Sequence, residues 1–558
     1  MSEDLVFRRA VLAAADRDIA RLLRSPSRAD ALPAHRELMR RAKLLVAAAL
    51  APGSAHAGRG DAARAAADLV MTLSELQSPS GLFAGGDNVE SPPDSAFTVS
   101  DVADALELIR RADDPGPLRE VATALDRIAE RAAPAMLAGG VHTPNHRWEL
   151  AGALARLHRH TGDPALRSRA ETWLEEGVDI DADGMYSERS ANYAAHVSNP
   201  SLTAIADILG REDLREIVAR NLTSFLGLIR GDGSVETVHS RRQDQRDDRF
   251  PAAPFLVLYR RYAVETGRGD LAWGAERARA SGVSSDALAE LLLHPAIGET
   301  LPAPLAPELP RRDRWPASGL VVDARSERTV VVFGGSDYAR MRRVRSGLSN
   351  SPTFLRLEAG AARLVSARLS RDFFGLGPFR PGGLVEEHGR LVLDERVEGR
   401  YYQPLPSTAI RAMGDYALAD EGRFAAAMSF DARESDAVEV VTRIEITPSD
   451  DGADIEISLQ GPALAWSLEL AFAPGGRIDG AAPLGGGAYQ LRDGYGRCTI
   501  GHDVIEFGPA LPGGPPAFYE PGEDYTYLGG TDAQSGPRVY ITGRAPGAAR
   551  LTLRARGT

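Results

Sequence analysis

Residues 183–199 read DGMYSERSANYAAHVSN. They hold Tyr186, Glu188, Arg189, Tyr193, His196 and Asn199 and almost nothing large and apolar. Phenols, an imidazole, a carboxylate and a guanidinium in one short run can shuttle protons and hold an anion. Alone, Tyr193 or His196 would read as amphipathic surface; their density here points to a site. Three further segments break the surrounding patterns. GGDNVESPPDSAFT, at 85–98, reads as a loop by its glycines and paired prolines, with Asp87, Asn88, Ser91 and Asp94 as polar tips. Its ordinary role is to cap a helix starting at 99. VHTPNHRWEL, at 141–150, sets Asn145 and His146 at a helix start behind a proline, with Arg147, Trp148 and Glu149 following. Asparagine is a common N-cap, and Trp148 falls in phase with the apolar face. GDGSVETVHSRRQDQRDDRF, at 231–250, carries His239, Arg241, Arg242 and Gln243 in another long loop. Its DQRDDR portion reads as a solvated charge run.

The elements that must position these residues come in two blocks. Up to about residue 295 the apolar spacing is helical, as in DVADALELIRRA, RWELAGALARLHRHTG and LREIVARNLTSFLGLI. Ser100-Asp101 can cap one helix, and TGDP ends one helix and opens the next. Connections alternate between short and long, which predicts an α/α toroid or solenoid whose long polar loops form one working face. Residues 296–318 are proline-rich and aperiodic, and predict a linker. From 319 to 558 short alternating runs such as GLVVDARSERTVVVFGG and AVEVVTRIEITPS are bounded by turn residues. The expected architecture is therefore multidomain α+β: an incomplete toroid over 1–295, the linker, then an antiparallel β-sandwich over 319–558.

Composition narrows the partners. The formal net charge of −12 argues against nucleic acid and anionic membrane surfaces, and no apolar run approaches a bilayer span. Cys498 is the single cysteine, which leaves no internal disulfide and no thiolate cluster; it reads as a small buried residue. Lys43 is the single lysine, so the positive charge is otherwise arginine. Codon bias explains that economically, although converging arginines would suit carboxylate or sulfate. The first residues lack a basic start, apolar block and cleavage site, which predicts a cytoplasmic chain, or a secreted one if a leader has been removed. A homo-oligomer is compatible with the composition.

TPNHRWELAGALARL, DGMYSERSANYAAHVSN and GDGSVETVHSRRQD resemble the toroid motifs of the heparinase II/III-like polysaccharide lyases, a family that includes alginate lyases. The resemblance implies an incomplete α/α toroid joined to an antiparallel β-sandwich. It also implies β-elimination at a uronic acid, with loss of the C5 proton and departure of the 4-linked neighbour. Asn145 matches the asparagine that neutralises the C5 carboxylate, beside His146, and Tyr193 matches the tyrosine that serves as acid and often as base. A free phenol titrates near ~10, so a base role needs a neighbouring cation; His146, His239, Arg241 and Arg242 are candidates. Asn88, Asp94, Trp148, Glu149, Tyr186, Glu188, Arg189, His196, Asn199, Gln243 and Tyr402 complete the expected substrate-binding set, for an acidic poly- or oligosaccharide. One departure stands out. The region matching the family's histidine-rich β-domain segment, RSGLSNSPTFLRLEAGAARLV, has no histidine, and His388 and His502 lie far apart. No metal and no cofactor are expected. Arg345, Asn350, Tyr401 or Tyr402 could face the toroid instead, although a strand aromatic is the ordinary reading of the tyrosine pair.

Two other readings stay open. A glycoside hydrolase on the same scaffold would need paired carboxylates, drawn from Asp87 or Asp94 with Glu149 or Glu188. A carbohydrate-binding protein without catalysis would explain the missing histidine.

Overall fold

Amphipathic segments fold here as helices packed on their sequence neighbours. The computed structural model describes residues 4–24, 34–84, 88–336, 352–422, 424–519 and 535–556. The helices are α1 (Leu5–Arg24), α2 (His35–Leu50), α3 (Gly60–Leu76), α4 (Pro92–Arg111), α5 (Leu118–Ala138), α6 (Pro144–Thr161) and α7 (Pro164–Leu174). After them come α8 (Ala191–Tyr193), α9 (Asn199–Leu209), α10 (Glu212–Leu226), α11 (Leu256–Thr266), α12 (Gly269–Ser281) and α13 (Ala287–Leu293). Helix α4 packs on α2, α5 and α6, and α6 packs on α7 and α9. Both α4 and α6 are buried on nearly every side, so the charges they carry need partners. Asp104 takes Arg156 and Arg159 at 3.1 and 2.9 Å, and Lys43 on α2 pairs with Asp101.

The TGDP expectation holds in detail. Gly162 is left-handed at φ 76°, Asp163 accepts from the Ala165 N–H at 2.8 Å, and Pro164 opens α7. The start of α4 differs from expectation. The helix begins at Pro92, not 99, with Ser91 as N-cap accepting from the Asp94 N–H at 3.2 Å. Paired prolines, read as breakers, are tolerated in a first turn whose N–H groups have no intrahelical partner. Ser100 and Asp101 consequently lie inside α4 rather than capping it.

The chain divides into two compact units. One comprises Met1–Thr237 and Arg249–Pro307; the other Val238–Asp248 and Glu308–Thr558. The second unit is a large sheet whose strand pairs are antiparallel, apart from Ala488–Gln490 beside Arg538–Arg556. Its spine is the long strand Gly452–Phe472, flanked by Arg538–Arg556, Ser435–Ser449 and Ala362–Arg371. Inward residues of these strands, among them Leu369, Ile444, Ile457, Leu468, Ile541 and Leu553, form one core. Cys498 is buried in it, and burial pushes its thiol up to about 12. The strand Arg311–Trp315 pairs with Leu320–Ala324 inside the stretch read as linker, because its alternating arginines suit a sheet edge.

Candidate functional site

The segment from 179 to 199 is pinned to the start of α6 by Asp179. Its carboxylate accepts from Arg147 Nη2 at 3.0 Å, from Trp148 Nε1 at 3.2 Å and from the Ser187 hydroxyl and N–H. The turn that follows is built by Asp181, whose Oδ1 accepts from the N–H groups of Asp183 and Met185, both at 2.9 Å. Gly184 adopts φ +81° there, and a Cβ would lie 3.0 Å from the Arg220 carbonyl oxygen. A buried relay fixes the next stretch. Tyr186 donates to Asn199 at 2.7 Å, Asn199 donates to Asn221 at 2.8 Å, and Asn221 donates to the Gly184 carbonyl at 2.9 Å. Burial raises the Tyr186 phenol well above its ordinary range. Tyr186 and Asn199, expected on the substrate, are interior residues that shape the loop.

Arg189 holds φ 51°, a left-handed backbone rare for a side chain of its size. Such strain persists where surrounding contacts over-determine it. Ser190 then caps the short α8 by accepting from the Tyr193 N–H at 3.1 Å. Directly after Tyr193 the backbone widens into a π-helical turn, Ala194–Ser198, a distortion that re-aims side chains. Tyr193 is half-buried and His196 exposed. His196 stands edge-on to Phe250 with ring centroids 6.3 Å apart, and although its edge is exposed, the protein packed around the ring desolvates it and lowers its pKa.

Asn145 reaches this segment from the first turn of α6. Its Nδ2 donates to both Glu188 oxygens, at 2.9 and 2.7 Å, and the residue is 1 % exposed. Thr143, not Asn145, occupies the N-cap position. His146 is nearly buried and edge-on to His142 at 4.7 Å. The structure thus brings together Asn145, Glu188 and the turn carrying Arg189 and Tyr193.

Other expected site residues lie elsewhere. Trp148 is fully buried. Glu149 is buried between the hydroxyls of Ser100 and Ser201, at 2.9 and 2.8 Å, and burial raises its pKa. Asn88 donates to Asp94 at 3.1 Å, and Asp94 pairs with Arg36, itself over the Phe97 ring at 4.2 Å. Asp94 and Glu149, two of the acids named for hydrolysis, thus each have partners within the fold. Asp87, Arg345 and Asn350 lie outside the described residues. His239, Arg241, Arg242 and Gln243 belong to the second unit. His239 and Arg242 are buried, Arg241 is half-buried and Gln243 exposed. The Ser240 hydroxyl donates to Asp244 at 2.5 Å and accepts from the Arg242 N–H at 3.1 Å. Tyr402, also in the second unit, donates to Glu421 at 2.9 Å and packs on Phe430, as the strand-aromatic reading expects. Among the described residues no group of three His, Cys, Asp or Glu side chains is arranged to hold a metal, and no helix is long and apolar enough to cross a membrane.

DADG, at 181–184, reads from sequence as a tight turn, as found, whereas nothing in the sequence marks Asp179 and Asn221 as its supports. VDIDADG shows an excess of acids, but a turn of this kind is also what a plain surface loop looks like.

No family model matches the chain, and no curated protein does. Solved structures share its fold. A heparinase III aligns with TM-score 0.54 at 10% identity, over 93% of this chain and 77% of its own. The Streptomyces coelicolor A3 chondroitin AC lyase, in complex with chondroitin sulphate, aligns with TM-score 0.52 at 13% identity, over 98% and 79%. A Paenibacillus xanthan lyase gives 0.54 at 12% identity, over 94% and 53%. The chain therefore has the polysaccharide-lyase fold of an incomplete α/α toroid followed by an antiparallel β-sandwich.

Proposed function

We propose that this chain is a lyase that cleaves a uronic-acid-containing poly- or oligosaccharide by β-elimination. The observation that carries the reading is the Asn145–Glu188 contact, which joins the first turn of α6 to the segment bearing Tyr193. Asn145 already holds one carboxylate, through both oxygens of Glu188, so its amide is placed and oriented for such a group. A substrate carboxylate takes that position when Glu188 turns aside. Donation to that carboxylate lets charge develop on its oxygens as the C5–H bond breaks, the point at which fixed donors lower the barrier most.

Tyr193, ionised, takes the C5 proton. The C–H electron pair forms the C4–C5 double bond, the C4–O bond breaks, and the new Tyr193 hydroxyl returns its proton to the departing oxygen. Arg189, four residues before Tyr193, and His146, next to Asn145, are the candidates on the helical unit to stabilise the phenolate. The lyase fold supports this class of chemistry, and the chondroitin sulphate held by the Streptomyces neighbour makes acidic polysaccharides the first substrates to try.

The test is ultraviolet absorbance of the conjugated double bond during incubation with a panel of uronate polysaccharides and oligosaccharides. Tyr193→Phe should lower kcat by about 10²–10⁴-fold, with the melting temperature unchanged. Products lacking the double bond would overturn the proposal.

A further inference from the structure

A cavity of about 190 Å³ opens within the helical unit, bounded by α4, α6, α9, α11 and α13. Much of its wall is carbon, from Pro200, Ala204, Ile208, Pro254, Val257 and Ile297. Charged side chains line the rest, and nearly all are matched. Asp104 has Arg156 and Arg159. Asp207 has Arg261 at 2.8 Å and also Arg215. Asp286 has Arg40 at 2.9 Å and the Ser284 hydroxyl at 3.2 Å. Of the two histidines on the wall, His294 has its pKa lowered to about 4 by burial and is neutral at pH 7, and desolvation lowers that of His196.

Glu290, on α13, is the exception. Its carboxyl lines the cavity with no side-chain hydrogen bond and no cation within ion-pair distance among the described residues. Lys43, Arg156 and Arg261 act on it only through space, each with its own acid partner, and burial with the nearby Asp104 outweighs them and raises its pKa. A carboxyl beside apolar walls with no cation in contact is costly to ionise, and a bound cation removes that cost.

We propose that this cavity binds a small organic cation, a primary ammonium on a carbon skeleton no larger than one sugar ring, with Glu290 as its counter-charge. The ammonium supplies the charge-assisted hydrogen bonds that Glu290 lacks, and the skeleton lies against Ile208, Val257 and Pro254. A neutral ligand leaves the carboxyl without a counter-charge, and an anion makes its ionisation costlier still. The proposal does not rest on the lyase reading, although His196, expected on the lyase substrate, also lines this cavity; Tyr193 is not among its lining residues.

The experiment is titration calorimetry of the full chain with D-glucosamine and with putrescine, each against a neutral counterpart, D-glucose and butanediol. At least one amine should bind, with its neutral counterpart about tenfold weaker or more, a gap of about 1.4 kcal/mol. Binding by glucosamine assigns a ring skeleton, and by putrescine a linear one. Glu290→Gln should weaken the amine by a similar factor, and Ala204→Phe, which fills the cavity from α9, should abolish its binding. If the glutamine variant does not fold, the Ala204→Phe result decides. Tyr193→Phe should bind the amine as the parent does, so this proposal and the lyase reading fail separately. Equal binding of amine and neutral counterpart, no binding of either amine, or undiminished binding by Glu290→Gln or Ala204→Phe would overturn it.

Discussion

Asn145 and Glu149 sit four residues apart on α6, and the structure gives them different work. Asn145 faces the loop bearing Tyr193, whereas Glu149 faces inward, held by two serine hydroxyls. Both are polar residues in one motif, and residue type alone does not separate them. Helical phase does not either, since residues four apart share one face; Glu149 lies one turn further along α6, where α4 and α9 pack. The Glu149 pKa lies above its ordinary value because burial outweighs its hydroxyl donors and the pull of Arg156. Between the unfolded and folded values the native state holds a proton that the unfolded chain has released. Stability therefore falls as pH rises through that window. Glu149→Gln, which cannot ionise and whose amide the two hydroxyls can serve, should be more stable than the parent at pH 8. The advantage should be on the order of 1 kcal/mol and vanish in acid below about pH 4.3, as read by thermal melts across pH.

At the scale of elements, the loop from 179 to 199 is a built object rather than a flexible connection. Asp179 clamps its start, the Asp181 turn bends it, and the Tyr186–Asn199–Asn221 relay closes it. Gly184 is the weak point, because its left-handed φ and the nearby Arg220 carbonyl both oppose a side chain. Gly184→Ala should cost about 1–2 kcal/mol from backbone conformation alone, and lower turnover by shifting Tyr193. Gly162→Ala is the control. Its φ is +76°, but nothing lies within 4 Å of its Cβ, so calorimetry should show a smaller loss and assays no change in turnover. Elements with strong periodicity were legible in the sequence, including α6, α7 and the alternating strands of the sheet. The first turn of α4 was not, because prolines that stop a helix in its interior also start one.

Across the whole molecule, the order of helices then strands follows from where apolar period changes from helical to alternating. The excursion of Val238–Asp248 into the second unit is invisible to such patterns. It depends on tertiary contacts such as Arg363 with Asp248 and the Arg356 guanidinium on the Asp248 carbonyl. Acid stability is another property of the whole fold. His35, hydrogen-bonded to Thr98 at 2.7 Å and stacked on Phe83, is pushed down to about 4 by burial, with Arg36 adding to the effect. His294 is held equally low, by burial and Arg261. In the unfolded chain both take up a proton near pH 6.5, so the unfolded state binds more protons below that point. The stability they contribute is complete above about pH 6.5 and is lost as pH falls towards 4. Melting temperatures should decline through this range, before carboxylates protonate. His35→Leu should flatten the decline while lowering the plateau, through loss of the Thr98 bond.

Lys43 is nearly enclosed, paired with Asp101, and its ammonium is held protonated by surrounding carboxylates. With no other lysine in the sequence, acylation of a side-chain amine should wait on the opening of this fold. Succinimidyl reagents should then label Lys43 in step with unfolding, so that mass spectrometry of that one side chain reads the opening of the helical unit without any engineered probe.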